Sequence, residues 1–282
     1  MRILVTGANS MVGDFLLPML LQEGHDVVAV SRRVQAPRRG ERWLQLDLCQ
    51  PGWAAKVGRV DSWINLAPLS LIQDIVPNAF SVLQPGRVIA LSSTSRFTKR
   101  YARGKQDREF AASLALGEQR IIQRSTQFNV GWNILRPTMI YCLGKDKNIT
   151  QIHSFIRRFR FFPLVGDGKA LRQPVHAEDL AEACTALLRC RDCVNRAYNL
   201  SGGEVLSYRE IVRRLFCLEG INPRFVTVPL TVFQAALFLM RILPKYRYLT
   251  LDMADRMTMD MVFSHNEATK DFGFSPRSFL VD

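Results

Sequence analysis

The stretch "RILVTGANSMVGDF", residues 2–15, decides the fold. Its first residues are a short apolar run, suited to a strand buried on both faces. Apolar residues then recur at helical spacing through "MVGDFLLPMLLQEGH", residues 11–25, with Pro18 inside and Gly24 as the stop. Between them, Gly7 permits a tight turn, and Gly13 permits the helix to pack close to the strand. Such a turn aims the backbone N–H groups of a helix N-terminus at an anionic group, here a pyrophosphate. Ser10 stands where a middle glycine is usual; it is small, and its hydroxyl can donate. Asn9, Met11 and Val12 complete the loop, which reads as a dinucleotide site.

Working outward, the pattern repeats. "DVVAVSRR" (26–33), "RWLQLDL" (42–48), "VDSWINLAP" (60–68), "RVIALSSTS" (87–95) and "GWNILRP" (131–137) read as strands, and "FAASLALGEQRIIQRS" (110–125) as a helix. Alternation of this kind predicts an α/β protein: a Rossmann-type doubly wound parallel sheet covered on both faces. The second half changes character. Residues 151–176 read as loop-rich, a helix follows from about Ala177, and another begins at Ser207, whose spacing to Glu210 fits a capping box. The expected division is a dinucleotide-binding domain over 1–142 and 174–200. A smaller, interleaved C-terminal substrate lobe covers 143–173 and 201–282.

The end of the second strand bears on cofactor choice. A bare ribose is gripped there by an acidic residue, but Asp26 sits at the wrong end. Ser31, Arg32 and Arg33 occupy the right end and suit a 2′-phosphate, which favours NADP(H) over NAD(H). The competing reading is a solvated cluster with Arg38 and Arg39.

Composition sets the outer bounds. Hydrophobic residues make up 48% of the 282 and charged residues 22%, as in a globular chain rather than a disordered one. The net charge of +13 favours anionic partners such as phosphorylated small molecules. No zinc-finger, helix-turn-helix or aromatic RNA-binding pattern accompanies it, so nucleic acid is not expected. The six cysteines are irregularly spaced, no leader precedes the first strand, and "CRDC" (190–193) lacks a second ligand pair. Reduced thiols, a cytoplasmic location and no metal site follow. "LTVFQAALFLMRIL" (230–243) is too short to span a bilayer, and "FIRRFRFF" (155–162) reads either as a surface helix or as a cationic stretch making peripheral membrane contact.

The motifs taken together resemble the extended short-chain dehydrogenase/reductase family, the nucleotide-sugar epimerases and dehydratases. "TGANSMVG" is similar to its cofactor loop. "LDL", with Asp47 and Leu48, is similar to its adenine-contacting segment. "INLAP", with Leu66, Ala67 and Pro68, resembles the fourth-strand segment beside the cofactor. "ILRPTMIYCLG", with Pro137 and Tyr141, resembles R-P-x-x-x-Y-G with Cys142 in place of glycine, and "LRQPVHAEDLA" resembles R-D-x-x-H-V-x-D-x-A. The resemblance implies a small phosphorylated substrate, with Arg172 as a phosphate ligand and Arg157, Arg158 and Arg160 as looser ones. It alone implies a homodimer. His176 and Asp179 are expected to fix a loop-to-helix junction.

The family's chemistry uses a Ser or Thr, a Tyr, and a Lys four residues later. Thr94 matches the first. Two placements exist for the pair. Tyr101 and Lys105 have the Y-x-x-x-K spacing but follow Thr94 closely, and Gly104 weakens a helix there. The second placement aligns "FAASLALGE" with Y-x-x-S-K-x-x-x-E, which puts Phe110 and Leu114 in place of Tyr and Lys and Glu118 in register. The two are about half a helical turn out of phase at ~100° per residue, so one helix cannot aim both at a cofactor. The second is favoured, which makes the chain similar to the family's atypical branch. Tyr101, Tyr141 and Lys99 are then the candidate acids, Lys99 having also a plain surface reading. Three functions are weighed: an NADP(H)-dependent oxidoreductase, epimerase or dehydratase acting on a sugar nucleotide or related phosphorylated metabolite; a non-catalytic dinucleotide-binding protein; and a reductase of a non-sugar carbonyl.

Overall fold

Strands covered on both faces need apolar residues at nearly every position, and the first two strands have them. In β1 (Arg2–Thr6) and β2 (Asp26–Ser31) every residue after the first is buried. The computed structural model describes all residues except 37–39, 73–75, 234, 236–255 and 281–282. The further strands are β3 (Arg42–Gln45), β4 (Ser62–Asn65), β5 (Arg87–Leu91), β6 (Gly131–Pro137), β7 (Ile140–Tyr141), β8 (Phe162–Val165), β9 (Leu171–Arg172), β10 (Val175–His176), β11 (Arg196–Leu200), β12 (Leu206–Ser207) and β13 (Phe225–Val228). The helices are α1 (Met11–Gln22), α2 (Trp53–Val57), α3 (Leu69–Ile72), α4 (Val76–Leu83), α5 (Ser95–Thr98), α6 (Lys105–Gln127), α7 (Ile149–Phe159), α8 (Ala177–Arg189), α9 (Tyr208–Leu218) and α10 (Asn266–Phe272).

The main sheet is parallel, in the order β11-β6-β5-β4-β1-β2-β3. The order reverses at β1, so a crevice opens above the carboxyl ends of β1 and β4. On one face α1 and α8 bury Leu16, Leu20, Leu180 and Cys184 in one core. On the other, Trp53, Phe80, Leu83, Leu114 and Ile121 of α2, α4 and α6 form a second. A third core joins Ile149 and Ile156 of α7 to Ile211, Leu215 and Phe216 of α9. The Ser207 hydroxyl accepts from the Glu210 N–H at 3.1 Å, the first half of the expected capping box.

Four expectations are corrected. The strand read through Asp47 ends at Gln45, because the Asp47 carboxylate accepts from the Cys49 N–H at 3.0 Å and turns the chain. The helix expected from Phe110 begins at Lys105. The loop-rich region contains α7, whose apolar residues occupy one face. Cys190 and Cys193 are joined as a disulfide rather than kept as thiols. Asn133 bonds the Cys193 carbonyl at 2.6 Å and Arg87 bonds the Cys190 carbonyl at 2.7 Å, folding that loop over the sheet with the two Cα atoms 5.5 Å apart. The apolar run at 230–243 lies mostly outside the described residues, as do Arg38 and Arg39. None of the described helices is long and apolar enough to cross a membrane.

Candidate active site

The crevice is built from backbone. Gly7 adopts φ +70°, and a Cβ there would meet the Ala67 nitrogen at 2.5 Å. A Cβ on Gly13 would collide with the Ala8 carbonyl, so this helix start and the strand end touch through glycine alone. Ser10 caps α1, its hydroxyl accepting from the Gly13 N–H at 3.2 Å. The N–H groups of Met11 and Val12 have no preceding turn to bond and face out of the helix end. Buried side chains hold the opposite wall: Asn65 donates to the Ala67 carbonyl at 2.8 Å and accepts from the Thr6 hydroxyl at 2.7 Å, while Trp63 donates to that hydroxyl at 2.9 Å.

The resulting cavity, about 230 Å³, is lined by Gly7, Asn9, Ser10, Ser31, Arg32, Asp47, Leu48, Leu66, Ala67 and Pro68, all expected from the sequence. Val30, Leu46, Cys49 and Leu71 line it too and were not expected. They carry no motif and enter by adjacency, at strand ends and on the first turn of α3. Met11, Val12, Gly13, Arg33 and Pro137 do not line it. Arg33 is exposed, its N–H donating to the Ser31 hydroxyl at 3.1 Å. The Pro137 carbonyl accepts from both the N–H and the hydroxyl of Thr94, at 3.0 and 3.1 Å. The cradle fits a nicotinamide dinucleotide: a glycine turn whose close approach to Ala67 admits no Cβ, the capped start of α1 beside it, and apolar lining from Leu48, Leu66 and Pro68.

The region at the carboxyl ends of β5 and β6 is built from charge. Glu118 on α6 is fully buried, and Ser92 donates to it at 2.5 Å. Arg136 donates to the same carboxylate at 2.7 Å, and Arg96 is paired with it too. This network ties α6 to β6 and to the segment just after β5, fixing the helix that carries Phe110, Leu114 and Glu118. Leu114 is buried, and Phe110 is half-exposed. Above the Phe110 ring, at 4.8 Å, sits the Lys99 ammonium. It donates to the Asp107 carboxylate at 2.8 Å, and Arg256 is paired with the same group. Burial pushes the Asp107 carboxyl up; the bonds and charges of Lys99 and Arg256 outweigh that and hold it below the usual range. Lys99 is therefore not a plain surface charge. Thr94 and Lys99 cap the two ends of the single-turn α5.

The other catalytic and substrate candidates are placed elsewhere. Tyr101 is 83% exposed and precedes α6, so its spacing to Lys105 does not lie along a helix. Lys105 is exposed and faces Glu109 at 3.7 Å, in the ordinary i,i+4 manner. Tyr141 is buried edge-on against His176 and Phe279, and its oxygen accepts from the Leu280 N–H at 3.4 Å. Burial raises its pKa, the reverse of what an acid working near neutrality needs. Arg172 is buried, and its guanidinium donates to the carbonyls of Leu171, Met259 and Arg256 at 2.7, 2.6 and 2.5 Å. It holds the C-terminal segment rather than facing an open anion site. Arg157, Arg158 and Arg160 lie exposed on and just after α7. His176 caps α8, accepting from the Glu178 N–H at 3.4 Å, and Asp179 receives Arg277 at 2.6 Å. Both secure that junction.

Comparison with known proteins agrees with this architecture. The model of the NAD dependent epimerase/dehydratase family matches residues 3–80 and 78–201. A 2-alkyl-3-oxoalkanoate reductase from Stenotrophomonas maltophilia is 25% identical, with 98% of this chain and 95% of that protein covered. A divinyl chlorophyllide a 8-vinyl-reductase from Oryza sativa is 25% identical, with 86% of this chain and 65% of the relative covered. A mitochondrial NADH dehydrogenase alpha subcomplex subunit 9 from Arabidopsis thaliana is 25% identical over 64% of this chain, which spans only 44% of that relative. Among solved structures, a UDP-glucuronic acid 4-epimerase from Bacillus cereus, in complex with UDP-glucuronic acid and NAD, superposes with a TM-score of 0.76 at 15% identity, covering 99% of this chain and 95% of that one. At that identity the likeness concerns the fold.

Proposed function

The chain belongs to the NAD-dependent epimerase/dehydratase family and is an NAD(P)-dependent enzyme; from that premise we propose that it is an NADP(H)-dependent oxidoreductase acting on a carbonyl flanked by apolar groups. The observation that carries the cofactor choice is the end of β2, where Ser31 and Arg32 line the cavity and no acidic residue follows the strand. Asp47, the cavity's one carboxylate, is already bonded to the Cys49 N–H. Titration of NADPH and NADH by quenching of intrinsic fluorescence tests the choice. NADPH binds tighter by roughly tenfold or more, and Arg32→Ala closes that gap. NADH binding as tightly as NADPH overturns it.

Several observations favour a non-sugar carbonyl. Lys99 lies over the half-exposed ring of Phe110, and Phe97, on the short helix α5 that Lys99 caps, is exposed to a similar degree. Arg172, the residue expected to hold a diphosphate, would have to exchange three carbonyl partners to do so. The Stenotrophomonas relative, matched nearly end to end, is named for the reduction of a 3-oxo acid. In this reading a bound nicotinamide supplies or accepts hydride. The Thr94 hydroxyl, turned to Pro137 at rest, rotates to orient the substrate oxygen. The Lys99 ammonium has N–H groups beyond the one on Asp107; it stabilises charge developing on that oxygen and delivers its proton, regained from solvent. Asp107 and Phe110 position Lys99. The two interleaved lobes and a homodimer are part of the same reading.

A further inference from the structure

Among the acid-free runs of the chain are 147–166, between Asp146 and Asp167, and 220–233, after Glu219. They are far apart in sequence, but the fold lays them side by side. β8 and β13 pair in parallel, Phe162 against Phe225 and Pro163 against Val226, and the Phe162 N–H donates to the Arg224 carbonyl at 2.9 Å. The combined face exposes Arg157, Arg158, Arg160 and Arg224. Glu219 at its border is already engaged, by His153 at 2.6 Å and Arg157 at 3.5 Å. Three exposed arginines thus sit on and just after α7, a fourth precedes the paired β13, and Glu219 at the border is bonded to Arg157.

The same face holds apolar groups outward. Phe159 is 48% exposed, yet its ring is braced by Phe155 at 4.6 Å and lies under the Arg158 guanidinium at 5.3 Å. Phe155 packs in turn on Phe161 and Phe162. Val226 and Val232 are more than half exposed. An exposed aromatic ring under a guanidinium, with further exposed arginines and valines in the paired segments, matches the boundary between lipid headgroups and acyl chains. Nucleic acid would account for the arginines but not for outward-facing valines.

We propose that this face docks the enzyme peripherally on an anionic lipid surface, with Arg157, Arg158, Arg160 and Arg224 meeting headgroup charge and Phe159 entering the interface. The proposal is independent of the cofactor and substrate assigned above. The test is co-sedimentation of the full chain with vesicles of phosphatidylcholine alone or mixed with phosphatidylserine. Binding that requires phosphatidylserine and weakens with salt is the expected result. Arg157→Gln combined with Arg158→Gln and Arg160→Asn weakens it about a hundredfold, at roughly fivefold per arginine. Phe159→Ser weakens it while leaving the salt dependence. Circular dichroism and fluorescence titration of NADPH confirm that the variants are folded. Absence of sedimentation, equal binding to both vesicle types, or tighter binding to a single-stranded RNA probe than to the mixed vesicles overturns the proposal.

Discussion

Two regions at the carboxyl ends of the strands are made in different ways. Over β1, β2 and β4 the wall is main chain: Gly7 against Ala67, Gly13 against Ala8, and the capped start of α1. Over β5 and β6 it is side chain: Thr94, Lys99, Asp107, Phe110, and Glu118 with its arginines. A main-chain site tolerates changes at most of its positions, because its donors belong to every residue; only the glycines are constrained. A side-chain site can be rebuilt by a few substitutions while the scaffold stays the same. That difference lets a cradle keep its sequence pattern while the side chains beside it vary.

The comparison breaks most readily at Lys99. Lys99→Met lowers turnover by about 10²-fold or more, the scale of a positioned proton donor, while NADPH titration stays within a few fold. The readout is single-turnover loss of NADPH absorbance with 2-alkyl-3-oxo acids. Lys99→Arg keeps the charge and recovers part of the rate but shifts its pH profile, which a purely structural role would not do. Unchanged turnover in Lys99→Met removes Lys99 from the chemistry. Gly7→Ala probes the main-chain end. Strain at φ +70° and the clash with Ala67 cost about 1–3 kcal/mol, seen as a lower thermal midpoint and weaker NADPH binding. A variant with wild-type melting and binding denies the glycine its role. The smallest effect is at Tyr101→Phe, where exposure predicts turnover and stability unchanged within error; a large loss would bring the Tyr101 spacing back into the active site.

Legibility follows the same division. Gly7, Ser10, Gly13 and the "INLAP" segment were readable because main-chain constraints leave a sequence pattern. Val30, Leu46, Cys49 and Leu71 were not, since any residue of moderate size can line a wall. Y-x-x-x-K at Tyr101 was legible, but the spacing means one face only where the helix already exists, and α6 starts at Lys105. Lys99 was readable as a candidate acid, but its surroundings were hidden for a related reason. A lysine shortly after a strand is ordinary on a surface, and only the approach of Asp107, Phe110 and Arg256 makes it a site. Arg172 matched a ligand pattern, but its partners are carbonyls supplied from residues 256 and 259, a contact no local motif encodes.

By itself the sequence determined the alternation of strands and helices, the glycine turn and the helix that receives a pyrophosphate, because these depend on period, propensity and backbone freedom along a short stretch of chain. The tertiary structure alone decided which charges surround Lys99, which carbonyls Arg172 bonds, and which acid-free runs share a surface. Those depend on side chains distant in sequence meeting in a low-dielectric space, where the partner, not the residue type, sets the outcome.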